Sequence, residues 1–126
     1  MNRIIKFRAW DKEIKVMREW QEISMGSTQP VGYFFSRGDF EIMQFTGLTD
    51  KNGKEIYEGD IIRQTGKHQM TGGNIEKIWE VKWEEDCFKL MDNNPDGVHF
   101  LLGFVKNSIM TFEIIGNIYE NPELSK

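Results

Sequence analysis

A mainly β protein is the fold class this sequence predicts, and three observations predict it. The apolar residues are unevenly chosen: fourteen Ile and nine Phe stand against five Leu and a single Ala, Ala9. β-Branched and aromatic side chains suit a pleated surface, whereas Ala and Leu are the better helix formers. Twelve Gly divide the chain into short segments. Several of those segments alternate apolar and polar residues with the two-residue period of a half-buried strand. At 126 residues the chain suits one domain or two small subdomains sharing a core, and needs no metal or disulfide as a staple.

Residues 3 to 10 alternate as a strand, with Ile5, Phe7 and Ala9 on one face and Lys6 and Arg8 on the other. Asp11-Lys12-Glu13 reads as a polar turn. Residues 15 to 24 fit two periods. Val16, Trp20 and Ile23 match helical spacing, but a strand returning on residues 3 to 10 would cover their apolar face, and strand is the reading preferred. Met25 to Gly38 carries Gly26, Ser27, Thr28, Pro30 and Gly32, so it reads as a loop pinned by Tyr33-Phe34-Phe35. Phe40 to Thr46 alternates again. Asp50-Lys51-Asn52-Gly53 then reverses the chain, because Asn and Gly tolerate the positive φ of a primed hairpin turn.

From Gly59 short strands follow one another. Asp60 to Gln64 is the first, and His68 to Asn74 is a polar loop. Ile78 to Glu84 is the cleanest strand, with Trp79, Val81 and Trp83 on one face and Glu80, Lys82 and Glu84 on the other. Glu85-Asp86 turns the chain so that Cys87 to Met91 pairs back. Asp92 to Gly97 is a turn cluster, and Phe100, Leu101, Phe104 and Val105 have the spacing of one or two helical turns. Thr111 to Gly116 is a last strand, and Pro122 ends ordered structure. The expected architecture is an N-terminal β-rich subdomain, residues 1 to 56, with a hairpin and irregular β segments. It packs on a C-terminal SH3-like small barrel, residues 57 to 126, with one short helix.

Charge and composition exclude several classes. A net charge of −4 gives no global attraction to nucleic-acid phosphates or anionic membranes. Cys87 is the one cysteine, so no internal disulfide forms, and no Cys/His cluster has zinc-ligand spacing. The N-terminal M-N-R-I-I-K-F-R-A-W lacks the apolar core of a signal peptide, and no run reaches a membrane span of roughly 18 residues. A cytoplasmic protein with no membrane partner is the expectation.

Four blocks of sequence, in order, carry a resemblance. They are I-K-F-R-A-W-D-K at 5 to 12, Q-F-T-G-L-T-D-K-N-G-K-E-I-Y-E-G-D-I-I at 44 to 62, W-E-V-K-W at 79 to 83, and E-I-I-G-N-I-Y-E-N-P-E-L at 113 to 124. Together they resemble the YopX family of phage and prophage proteins. The resemblance implies a mostly β fold with a barrel-like C-terminal half, a phage or prophage origin, and a homo-oligomer. It brings no established activity and no catalytic or binding residues. The loops Ser24 to Asp39 and Gly66 to Glu76 depart from the family pattern.

The residues themselves offer little reactive chemistry. Asp39, Glu41, Asp50, Glu55, Glu58 and Asp60 crowd around two Gly turns, but their spacing matches no calcium loop. Turn support by Asp50 and a strand-entry cap by Asp60 are the plainer roles. Cys87 has only His68 and His99 as possible bases, and a thiol used as a small apolar residue is the commoner arrangement. Thr71-Gly72-Gly73-Asn74 is no phosphate loop. A nucleic-acid surface would draw on Trp79, Lys82, Trp83, Phe88 and Lys89, a hairpin of aromatics and cations, although Trp79 and Trp83 share the face of Val81, which suits them to the core, and Glu80, Glu84 and Glu85 alternate with the lysines. Seven Met and sixteen aromatic residues exceed what a small barrel hides, so Tyr33, Phe34, Phe35 and the Phe100 to Val105 segment are the candidate interface. The expectation is a non-enzymatic accessory protein with no catalytic residues, metal or cofactor. It would act by binding phage or host proteins or copies of itself, with nucleic-acid binding as the alternative.

Overall fold

The computed structural model describes residues 4–26, 30–36, 38–67, 70–84, 87–92, 100–101 and 111–125. They form two antiparallel sheets. The first holds β1 (Phe7–Asp11), β2 (Val16–Arg18), β3 (Phe40–Thr49) and β4 (Glu55–Tyr57) in the order β2-β1-β3-β4. The second holds β5 (Asp60–Lys67), β6 (Asn74–Glu84), β7 (Cys87–Met91), β8 (Phe100–Leu101) and β9 (Thr111–Asn117) in the order β8-β7-β6-β5-β9. This sheet curls into a half-barrel, and its edge strands β8 and β9 are not paired with each other among the described residues. The mainly β class expected from composition is the class observed.

Two cores hold the sheets. One gathers Ile62, Trp79, Val81, Leu90 and Phe112 from the second sheet around Ile56 of β4, with Leu48 of β3 packed against it. The first sheet therefore contributes side chains to the core of the second. The other places Ala9 of β1 under Ile23 and Phe34, with Trp20, Tyr33, Phe40 and Ile42 around them. Full burial of side chains of this size contributes about 1.5–3 kcal/mol each. These two clusters are the main force on the fold.

Several elements differ from the sequence reading, each for a physical reason. The first strand starts at Phe7, leaving Ile4 and Ile5 exposed. Arg8, placed on its polar face, is buried because the second sheet covers that side. Residues 15 to 24 are strand only at Val16–Arg18; a helical turn follows over Trp20 and Gln21, continuing as a π-helical turn, Glu22–Gly26. Here the helical spacing won. Ile23 drops into the core, the Ile23 N–H donates to the Glu19 carbonyl, and Arg18 pairs with Glu22 one turn on. The stretch from Met25 to Gly38 is not all loop, since α1 (Val31–Ser36) forms there. Pro30 is preorganised just ahead of it, and Tyr33 N–H donates to the Pro30 carbonyl. A six-residue helix has too little intrinsic stability to be seen by propensity; packing of Phe34 on Ala9 makes it.

Phe100-Leu101 is a strand, not a helical turn, because it pairs with Lys89 and Leu90 of β7. Phe104 and Val105 lie outside the described residues, as do His68, Glu85, Asp86, His99 and most of the Asp92 to Gly97 cluster. Pro122 opens a short 3-10 turn, Pro122–Ser125, instead of ending order. The turn at Asp50 is not of the primed type: of its residues only Gly53 has positive φ, +79°. The Asp50 carboxylate sets the turn instead, accepting from the N–H groups of Asn52 and Lys54 at 2.9 Å each. Trp83 shares the face of Val81 but is 52% exposed. It lies near the end of β6, resting edge-on against Phe88 at 4.9 Å between ring centres.

Candidate functional site

Asp50, Lys51, Gly59 and Asp60 of the 44 to 62 motif join the two sheets. The second carboxylate oxygen of Asp50 accepts from the Ile114 N–H of β9 at 3.0 Å, while Lys51 N–H donates to the Phe112 carbonyl. The turn thereby covers part of an edge that would otherwise be free to pair with other chains. Burial acts upward on the Asp50 carboxyl, but the three N–H donors at Ile114, Lys54 and Asn52 outweigh it and hold the group below its ordinary value. Glu58 accepts from the Gln44 N–H, fixing β3. Gly59, at φ +87°, donates to the Val81 carbonyl and accepts from Ile118 N–H.

Asp60 is the centre of this junction. Its side chain is 2% exposed and receives Arg8 of β1 at 2.7 Å and the Tyr57 N–H at 2.7 Å. Burial pushes its carboxyl above the ordinary 3.8, with the Arg8 guanidinium and the Tyr57 N–H acting against that shift. The Arg8 guanidinium also lies 4.7 Å from the centre of the Tyr57 ring, and its Nε has no hydrogen-bond partner. Asp60 is thus half of a buried ion pair, more than a strand-entry cap. Among the described residues no group of three His, Cys, Asp or Glu could hold a metal ion.

Two clefts open beside the junction. The first, about 340 Å³, is lined by Lys6, Glu19, Trp20, Gln21, Glu55 and Tyr57. Lys6 pairs with Glu55 and lies 4.9 Å from the Phe45 ring centre. Tyr57 is 4% exposed, and its phenol is pushed up to about 12 by burial and by the nearby carboxylates Glu55 and Glu19. The second cleft, about 210 Å³, includes Glu41, Glu58, Glu80, Lys82, Trp83 and Tyr119 in its lining. Burial raises the Glu80 carboxyl, and Lys82 partly offsets this. The Tyr119 phenol is raised by burial and then by Glu41, Glu58 and Glu80; its ring stacks on Trp10 at 5.8 Å.

The residues singled out from sequence fall in different places. Phe34 is core, and Tyr33 is half-buried against Phe34 and Phe40. Phe35 is 45% exposed and meets Phe7 edge-on at 5.1 Å, while Phe7 meets Trp20 at 6.1 Å. In the 78 to 91 hairpin the register pairs Trp83 with Phe88 and Lys82 with Lys89. Since side chains alternate along a strand, the aromatics and the lysines occupy opposite faces. Trp79 is 1% exposed, and its indole N–H donates to Gln64 at 2.7 Å. Cys87 is half-buried on β7. The first cleft was not foreseen. It draws on the start of the chain, the helical turn and β4, and no local pattern links those three segments.

Taken together, the geometry defines a two-sheet antiparallel β protein with a helical flap, whose most distinctive motif is architectural. The sequence matches the YopX protein family over residues 6–126, and the chain belongs to that family. It is also similar to the crystal structure of protein EF1440 from Enterococcus faecalis. The TM-score is 0.66 and the identity 29%, over 99% of this chain and 100% of that one. No curated protein matches the sequence. Among the described residues no helix is long and apolar enough to cross a membrane.

Proposed function

We propose that this protein is a non-enzymatic accessory protein of phage or prophage origin, acting in the bacterial cytoplasm by associating with other proteins, copies of itself included. The observation that carries this reading is the aromatic row Phe35–Phe7–Trp20. It is open to solvent at Phe35 and runs into the wall of the 340 Å³ cleft. Exposed Ile4 and Ile5 lead into β1 beside it. Contiguous apolar surface next to polar groups is the composition of protein interfaces, and aromatic residues anchor them. The commitment of Asp50, Glu58 and Asp60 to backbone and ion-pair contacts supports a binding role over a hydrolytic one.

Light scattering on the purified protein, with a pull-down from host cells carrying the phage or prophage, tests this reading. The expected result is a defined oligomer or a stoichiometric partner that Phe35→Ser weakens while the variant stays folded, its melting temperature lowered only by the lost ring contact with Phe7. A monodisperse monomer that retains no partner, or association untouched by Phe35→Ser, refutes it.

A further inference from the structure

We infer that the cleft between Trp20 and Tyr57 receives a cationic side chain, arginine before lysine, from the partner protein. The inference rests on the protein-binding reading above and gives it a chemical specificity.

Tyr57 is the first reason. Phe45 packs on its ring at 5.5 Å and Arg8 lies over it at 4.7 Å. The hydroxyl end is what remains to face the cleft that Tyr57 lines. The residue is 4% exposed, yet among the described residues its hydroxyl makes no hydrogen bond. That hydroxyl is not among the buried unpartnered side-chain atoms, so it reaches the solvent of the cleft, where a ligand N–H can take the place of water. With the phenol neutral until about pH 12, its oxygen is an acceptor for an incoming N–H throughout the physiological range.

Charge is the second reason. Of the two carboxylates in the lining, Glu55 is taken by Lys6. Glu19 has no ion pair or side-chain hydrogen bond among the described residues. Two carboxylates against one ammonium leave the cleft with one negative charge in excess, on a chain whose net charge is −4. An anion would meet that excess, and a purely apolar group would displace water from the exposed Glu19 and the Tyr57 hydroxyl without replacing its hydrogen bonds. A guanidinium satisfies both: its planar fork donates to a carboxylate and a phenol oxygen together, and its face lies on an indole, here Trp20. The volume, about 340 Å³, is at the lower end of the range that small ligands and anchoring side chains use.

Titration of the full chain with acetyl-Gly-Arg-Gly amide, followed through the four Trp indole ¹⁵N–¹H resonances, tests the inference. The expected result is a saturable shift of the Trp20 indole, weakened by salt and absent with acetyl-Gly-Glu-Gly amide. A hydrogen bond to a charged group is at stake in each case, so Glu19→Gln and Tyr57→Phe each weaken binding by roughly tenfold. Tyr57→Phe keeps the ring packing and removes only a hydroxyl that is open to the cleft, so its melting temperature is unchanged. Glu76→Gln, exposed on β6, leaves the affinity as it was. No saturable shift, equal affinity in both cleft variants, or binding of spermidine without binding of the peptide overturns the inference. Loss of the arginine response while the pull-down partner is retained sinks this inference and leaves the proposed function standing.

Discussion

Replacing Asp60 by Asn probes the junction between the sheets most directly. Asn keeps the shape of the carboxylate and its oxygen can still accept from the Tyr57 N–H, but its NH2 group then faces Arg8, so the perturbation removes the charge and the acceptor of the guanidinium together. Arg8 is then left buried with a 3.5 Å approach to the Glu58 carbonyl, the Tyr57 ring, and an Nε that already has no partner. Breaking a buried pair from one side costs about 3–5 kcal/mol, because the remaining charge is uncompensated. The poor alternatives here place Asp60→Asn near the middle of that range, at about 4 kcal/mol. The double variant Arg8→Met, Asp60→Leu removes both charges, and its main loss is the acceptor for Tyr57 N–H, about 1–3 kcal/mol. The double variant is therefore expected to be more stable than the single one. Urea denaturation with a common m-value measures both. A single-variant cost below about 1 kcal/mol, the range of surface pairs, or a double-variant cost equal to the sum of the two single ones, would refute the argument.

Two further outcomes follow from the same junction. The Asp50 carboxyl titrates below its ordinary 3.8 in the folded protein. Its stabilising contribution is therefore complete above that value and is lost as pH falls through the lower, folded value. Asp50→Asn should be less stable than wild type at neutral pH, and the difference should narrow below about pH 4 in acid denaturation followed by circular dichroism. Gly59 has φ +87°, and a Cβ there would stand 3.3 Å from Met43 Sδ. Gly59→Ala should cost about 1–2 kcal/mol for the left-handed backbone, whereas Gly38→Ala, with nothing within 4 Å of its Cβ, should stay within about 0.5 kcal/mol of wild type; thermal melts compare the two.

Much of the fold was legible because its signals are local. The alternation Trp79, Val81 against Glu80, Lys82 wrote β6 into the sequence, and the paired run Cys87 to Met91 followed. The turn at Asp50 was visible from Asp-Lys-Asn-Gly, though its geometry was not: a carboxylate bonded to three N–H groups across two sheets replaces the pair of positive φ angles expected of Asn and Gly. Of the three candidate interface aromatics, Phe35 is exposed. Tyr33 and Phe34 were drawn inward, since three adjacent residues on a helical turn cannot all face solvent. Trp83 went the other way, left uncovered near the end of β6.

The amino-acid order alone determined the β class, the strand periods, the turn positions and the family, all of which depend on residues near one another in the chain. Only the tertiary structure decided the fate of the charged groups. Arg8 and Asp60 are 52 residues apart, and Lys6, Glu19 and Tyr57 come from three separate segments. Whether such a group is a solvated surface charge, a buried structural partner or a wall of a binding cleft depends on what is packed over it. That packing is set by how one sheet closes on the other.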